Sequence, residues 1–134
     1  MIVVDNTVLS DLFLGTDVLK EAAKSLVLED PDWISISLWR YEFGNVLWKI
    51  LRSPGDQWGS VDSPQLVFEA ANAALLETVE SLDSCKILYI ARTFDLTFYD
   101  ASYVWLARER VLKLRTRDKK ILRMCPDVAL GMPS

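Results

Sequence analysis

Short apolar runs alternate with longer stretches of helical apolar spacing along the whole chain. Residues 2–5 (Ile-Val-Val-Asp) read as a short buried strand that closes on an acid. Val8, Leu9, Leu12 and Phe13 then repeat at helical spacing, and Gly15 stops the pattern. Thr16 caps a second helix through about Leu28, with Val18, Leu19, Ala22, Ala23, Leu26 and Val27 as its apolar positions. Asp30-Pro31-Asp32 is a turn, and Trp33-Ile34-Ser35-Ile36 a second strand. Ser37 is positioned to cap a helix to about Arg52. Ser53-Pro54-Gly55-Asp56 breaks it, and a loop carries Trp58 and Gly59.

Ser63-Pro64 opens a long helix predicted to reach about Leu82, with proline at its first position. Ser84 to Phe94 reads as helix, Thr97 caps another from Phe98 to Arg110, and Val111 to Thr116 suits a strand. A short helix follows Asp118, and Asp127 to Leu130 forms a last edge strand. Short strands alternating with helices specify an α/β fold with a parallel sheet.

The length of 134 residues corresponds to one domain over 1–134. Such a chain buries about two-thirds of its unfolded surface and needs no disulfide or metal to fold. With 51% hydrophobic and 25% charged residues it is neither collagen-like nor disordered. No uncharged apolar run approaches the roughly 18–20 residues of a membrane span. Met-Ile-Val-Val-Asp lacks the basic region and cleavage site of a secretory leader, so the expectation is a soluble, cytoplasmic protein without a membrane partner. Cys85 and Cys125 lie in apolar surroundings and read as two buried free thiols, with a single disulfide as the alternative.

The chain contains no histidine. That excludes Ser–His and Cys–His nucleophiles, the usual catalytic zinc sites and imidazole acid–base chemistry. No glycine-rich phosphate loop occurs either. What remains is chemistry run on carboxylates, hydroxyls, Lys, Tyr or a bound metal.

The net charge of −4 is unevenly placed. Between Arg108 and Arg123 there are eight basic residues and two acids, a net +6; the remainder carries −10. A solvated helix and charged loop explain the strip on their own. A polyanion guided to a metal site beside an isolated acid is the functional alternative.

Four acids fall at the ends of elements, where α/β sheets bind ligands. Asp5 ends the first strand, Asp118 follows the strand ending at Thr116, and Glu42 and Asp100 occupy early turns of helices entering from the same side. Each has an ordinary explanation: Asp5 and Asp118 as helix caps, Asp100 within a capping box with Thr97, Glu42 as one more helix acid. Together at one edge they would repel one another. A hard divalent cation such as Mg²⁺ or Mn²⁺ removes that objection and activates water against a phosphodiester without histidine.

These residues resemble a known family, the PIN-domain ribonucleases, and within it the VapC-like toxins of toxin–antitoxin pairs. The matching pieces are Ile2-Val3-Val4-Asp5-Asn6-Thr7, Glu42-Phe43-Gly44-Asn45, Thr97-Phe98-Tyr99-Asp100-Ala101 and Thr116-Arg117-Asp118, in the family's order over nearly the whole chain. The resemblance implies a three-layer α/β/α fold around a parallel sheet of four to five short strands. It implies a metal-dependent endoribonuclease, with Asp5, Glu42, Asp100 and Asp118 as the catalytic, metal-binding quartet for Mg²⁺ or Mn²⁺.

Thr7, Asn45 and Thr116 would support the acids or the substrate, and Arg115 and Arg117 would attract the RNA backbone. The resemblance further implies a small antitoxin protein as partner, and a homodimer. A PIN-domain RNA-processing nuclease without antitoxin, or a catalytically silent binding module on the same fold, are the alternatives. Of the other acids, Asp95 is read as a helix end, Asp11 as a surface or substrate-side residue, and Asp56 and Asp62 as structural. Trp39, Phe43, Val46 and Ile50 form an apolar stripe, and the tryptophans are left out of the site.

Overall fold

The computed structural model describes residues 1–52 and 63–134, and in it every strand pair is parallel. The elements run β1 (Ile2–Val4), α1 (Asn6–Leu14), α2 (Asp17–Glu29), β2 (Trp33–Ile36), α3 (Trp39–Arg52), α4 (Pro64–Ala74), β3 (Glu77–Val79), α5 (Ser84–Phe94), α6 (Phe98–Arg110), β4 (Leu114–Arg115), α7 (Lys119–Met124) and β5 (Ala129–Leu130). The sheet order is β3-β2-β1-β4-β5. The predicted break at Ser53 to Asp56, the loop with Trp58 and Gly59, and Asp62 lie outside the described residues.

Alternation along β1 separates the two layers of helix. Ile2 and Val4 join Trp33 in a core with Val8, Leu9, Leu26, Trp39, Phe43 and Ala71, from α1 to α4. Val3 lies on the other face with Ile34, Ile36 and Leu114, packed against α5, α6 and α7 through Ile87, Val104, Leu106 and Ile121. A period of two along a strand with both faces covered gives this three-layer α/β/α arrangement. Ser35, buried in β2, satisfies its hydroxyl by donating to the Val4 carbonyl at 2.7 Å. The aromatic stripe of α3 is core, as its spacing predicts: Trp39 and Phe43 meet edge to face with centroids 5.8 Å apart, and Phe43 meets Phe68 at 5.3 Å. Such pairs add about 0.5–1.5 kcal/mol beyond their buried area. Val46 and Ile50, further along the stripe, are only half-buried.

Gly15 closes α1 where a side chain has no room. A Cβ there would lie 2.6 Å from the Asp11 carbonyl oxygen, which already accepts the Gly15 N–H.

Four expectations change. The helix predicted from Ser63 to Leu82 ends at Ala74, and Glu77–Val79 become the edge strand β3. β2 would otherwise leave one edge unpaired; the Leu76 N–H bonds the Trp33 carbonyl at 2.7 Å, and Thr78 takes the Trp39 indole N–H at 3.2 Å. Tertiary pairing outweighs helical propensity here. Ser37 does not cap α3: its N–H is spent on the Val79 carbonyl, and a turn through Leu38 precedes the helix. The strand predicted over 111–116 shortens to Leu114–Arg115, because Val111 takes a left-handed conformation (φ 55°) that terminates α6. Both cysteines are free thiols; Cys125 is buried, whereas Cys85 is exposed. No described helix is long and apolar enough to cross a membrane.

Candidate acidic site at the sheet switch point

The chain leaves β1 toward β2 and β3 on one side, then returns across to β4 and β5 on the other. The crevice at the carboxyl ends of β1 and β4 is therefore the switch point, where open α/β sheets bind ligands. Asp5 follows β1 immediately and is almost fully buried. Its Oδ1 caps α1, accepting the Thr7 N–H at 3.0 Å, the Thr7 hydroxyl at 2.5 Å and the Val8 N–H at 3.3 Å. Its Oδ2 accepts the hydroxyl of Thr116, which the register of β4 against β1 brings alongside. Asp118 is two residues further on; its N–H donates to Thr116 Oγ1 at 2.9 Å, and its carboxylate caps α7 through the Ile121 N–H at 2.9 Å. The two aspartates are thus helix caps and members of one hydrogen-bonded chain as well.

Glu42 enters from the first turn of α3 and Asp100 from the first turn of α6, where the Thr97 hydroxyl oxygen accepts the Asp100 N–H at 3.1 Å. Tyr103, one turn past Asp100 and buried, donates its hydroxyl to Glu42 Oε1 at 2.6 Å. This tyrosine was missed in the sequence, although its position three residues after Asp100 put it on the same helical face.

The charges of the acids reach one another in series. Burial pushes Asp5 up to about 6; the bonds from Thr116, Thr7 and Val8 oppose the shift, and Glu42 adds to it. Burial also raises Glu42, offset by the Tyr103 hydroxyl and reinforced by Asp100. Asp100 is raised by burial and then by Asp118, with the Thr97 hydroxyl and Lys120 pulling the other way. Tyr103 is held well above its ordinary value by burial and by Glu42, so it stays a donor. Asp5, Glu42 and Asp100 are therefore each harder to ionise than a free carboxyl group, which is the electrostatic condition a divalent cation would reverse. The donor set is oxygen throughout, which suits a hard cation. Among the described residues no three acids or thiols converge closely enough to form a closed cation cage, so no coordination geometry is assigned.

The remaining sequence candidates divide. Thr7 and Thr116 bond to Asp5 as expected. Asn45 stands exposed one turn past Glu42 and makes no side-chain hydrogen bond among the described residues. Arg115 turns away from the acids: it holds Glu29 at 3.1 Å and the Gly131 carbonyl at 2.6 Å. Arg117 lies beside Asp5 but is gripped at Nε and Nη2 by Asp11. Asp11, read as a surface or substrate-side residue, is not at the surface: it is 2% exposed. Asp95 ends α5 in a left-handed conformation, as read from the sequence.

The basic strip from Arg108 to Arg123 likewise changes meaning. Arg108 pairs with Asp127, Arg110 with Glu77 and Lys120 with Asp95, while Lys113 bonds the Asp127 carbonyl. α6 also carries Arg108 and Arg110 away from the site, about 15 Å along its axis from Asp100. Arg108, Arg110 and Lys113 are therefore engaged away from the crevice, whereas Lys120 stays close enough to Asp100 to act on its charge.

No protein-family model matches the chain. A curated relative, Exonuclease VapC9 of Pyrobaculum aerophilum, is 38% identical over 82 residues, covering 61% of this chain and 59% of the relative. The chain resembles the VapC-like PIN-domain proteins. The match to this VapC relative spans about three-fifths of the relative's length. Two solved structures share the fold. One is the crystal structure of PAE2754 from Pyrobaculum aerophilum, with TM-score 0.74 and 24% identity over 96% of this chain and 87% of that one. The other is a toxin–antitoxin complex from Klebsiella pneumoniae, with TM-score 0.71 and 17% identity over 97% and 96%. The expected three-layer α/β/α architecture, with a parallel sheet of five short strands, is thereby met.

Proposed function

We propose that the chain is a single PIN domain acting as a divalent-metal-dependent endoribonuclease, the toxin of a toxin–antitoxin pair, working in the cytoplasm as a homodimer. The observation that carries this reading is the run of Asp5, Glu42, Asp100 and Asp118 at the switch point, with three of the four held toward protonation by burial and by each other. The VapC relative and the fold shared with a toxin–antitoxin complex support it.

In this reading Asp5, Glu42, Asp100 and Asp118 hold Mg²⁺ or Mn²⁺, which when bound supplies water activation and neutralises phosphodiester charge. Thr7 and Thr116 fix the Asp5 carboxylate by donating to both its oxygens, and Tyr103 fixes Glu42. Asn45, on the same helix as Glu42, is the nearest candidate for a substrate contact. Arg115 is not proposed as one, since it is committed to Glu29.

The relative's name specifies an exonuclease. A covalently closed single-stranded RNA circle separates the two modes: an endonuclease linearises it in Mn²⁺, and an exonuclease leaves it intact. Co-purification with the product of a small neighbouring gene tests the antitoxin, and light scattering tests the dimer.

A further inference from the structure

Beside the acids lies an ion pair that the proposed chemistry does not use. Asp11, buried in α1, accepts from Arg117 Nε at 2.7 Å and from Arg117 Nη2 at 2.8 Å, a planar two-bond grip. Arg117 is the residue between Thr116 and Asp118. Its backbone N–H donates to Thr7 Oγ1 at 3.1 Å, and Thr7 in turn donates to Asp5. The segment 116–118 thus touches α1 at two points, the Asp11 carboxylate and the Thr7 hydroxyl. From it the Thr116 hydroxyl reaches Asp5 and the Asp118 carboxylate is oriented toward α7.

Resting on the nuclease reading above, we propose that Asp11 is a positioning residue: by gripping Arg117 it clamps the 116–118 segment to α1 and sets Asp5 and Asp118 in register, so that Arg117 is a structural clamp rather than a contact for the substrate backbone. A buried carboxylate holding Nε and Nη2 of the arginine fixes the plane of the guanidinium and leaves only Nη1 outside the grip, so the group has little freedom to follow a phosphate. The grip differs from the neighbouring Lys120–Asp95 pair in its acid: Asp11 is buried although Arg117 is half-exposed, whereas Asp95 stands in solvent. Partners that orient groups around a metal typically govern its affinity by about 10–100-fold.

The test uses the whole chain with Asp11→Asn, Arg117→Lys, Arg117→Gln and the Asp11→Asn/Arg117→Gln pair. Two quantities are read: Mn²⁺ affinity by calorimetry, and binding of a single-stranded RNA in EDTA by anisotropy. Asp11→Asn leaves no buried charge behind, and a melting curve checks that it folds. A clamp predicts that Asp11→Asn and Arg117→Gln each weaken Mn²⁺ binding by about 10-fold or more, and that the pair is no worse than either alone. Arg117→Lys is not rescued, because an ammonium cannot make the planar grip. RNA binding in EDTA stays within about two-fold of the native protein.

A substrate role for Arg117 predicts the reverse: Asp11→Asn frees the arginine and tightens RNA binding, Arg117→Gln weakens it, and Arg117→Lys retains it. Native Mn²⁺ affinity in a folded Asp11→Asn protein overturns the clamp alone. A native protein that neither binds Mn²⁺ nor cuts RNA overturns the reading of the acids, and the positioning role with it.

Discussion

Replacing Asp5 by Asn is predicted to stabilise the metal-free protein while disabling its chemistry. Asp5 titrates at about 6 against an ordinary 3.8, chiefly because of burial. A raised acid means that the folded state binds its proton more tightly than the unfolded chain. Its stabilising contribution is complete below 3.8 and is lost as the pH rises through 6. At pH 7.5 the ionised carboxylate costs about 3 kcal/mol relative to a neutral side chain, and at pH 4.5 about 1 kcal/mol.

Asparagine keeps an oxygen for the Thr7 and Val8 N–H groups and carries no charge. Urea unfolding of dilute protein in EDTA, followed by the fluorescence of the buried Trp33 and Trp39, should therefore place Asp5→Asn up to about 3 kcal/mol above the native protein at pH 7.5. The gain should shrink to about 1 kcal/mol at pH 4.5. Saturating Mn²⁺ should raise the native protein and leave the variant unmoved. A variant less stable than native at pH 7.5, or a difference independent of pH, would refute the view that this carboxylate is held against its preferred protonation state.

Three further outcomes follow from the same structure. Tyr103→Phe removes the hydroxyl that holds Glu42 down, so Glu42 rises further and the acid limb of the pH–rate profile moves to higher pH; the lost bond to a charged group costs about 1.5–3 kcal/mol, read by thermal melting. Gly15→Ala places a methyl group against the Asp11 carbonyl and is expected to cost about 1–3 kcal/mol in urea unfolding, with a wild-type value contradicting the steric argument. Arg115→Gln should leave RNA affinity unchanged while lowering stability, since its partners are Glu29 and Gly131; a clear loss of RNA binding would return it to the site.

The parts of the fold legible in the sequence are those fixed by local chemistry. β2, α2 and α5 emerge nearly as read, because their caps at Thr16 and Asp83 and their apolar spacing agree with the tertiary structure. β3 was invisible because Glu77-Thr78-Val79 is a strand only by virtue of the open edge of β2. The positions of Asp5, Asp100 and Asp118 at element boundaries were legible because Asp5, Thr97 and Asp118 are capping residues; Glu42 was placed in the first turn of its helix although Ser37 does not cap it. The partnership of Asp11 with Arg117 was hidden for the opposite reason. A charge within a helix looks solvent-facing until the chain, 106 residues later, returns a guanidinium to it. The pairing within the basic strip was hidden in the same way: local density of charge says nothing of the distant Glu77, Glu29 and Asp11 that pair with Arg110, Arg115 and Arg117.

The most direct measurement is cleavage of an end-labelled single-stranded RNA by the native protein and by Asp5→Asn, in Mn²⁺, in Mg²⁺ and in EDTA. Cutting that requires the divalent ion and is lost in a stably folded Asp5→Asn protein is the predicted result. Equal cutting by the two proteins, or cutting that persists in EDTA, would contradict a nuclease centre built on these acids.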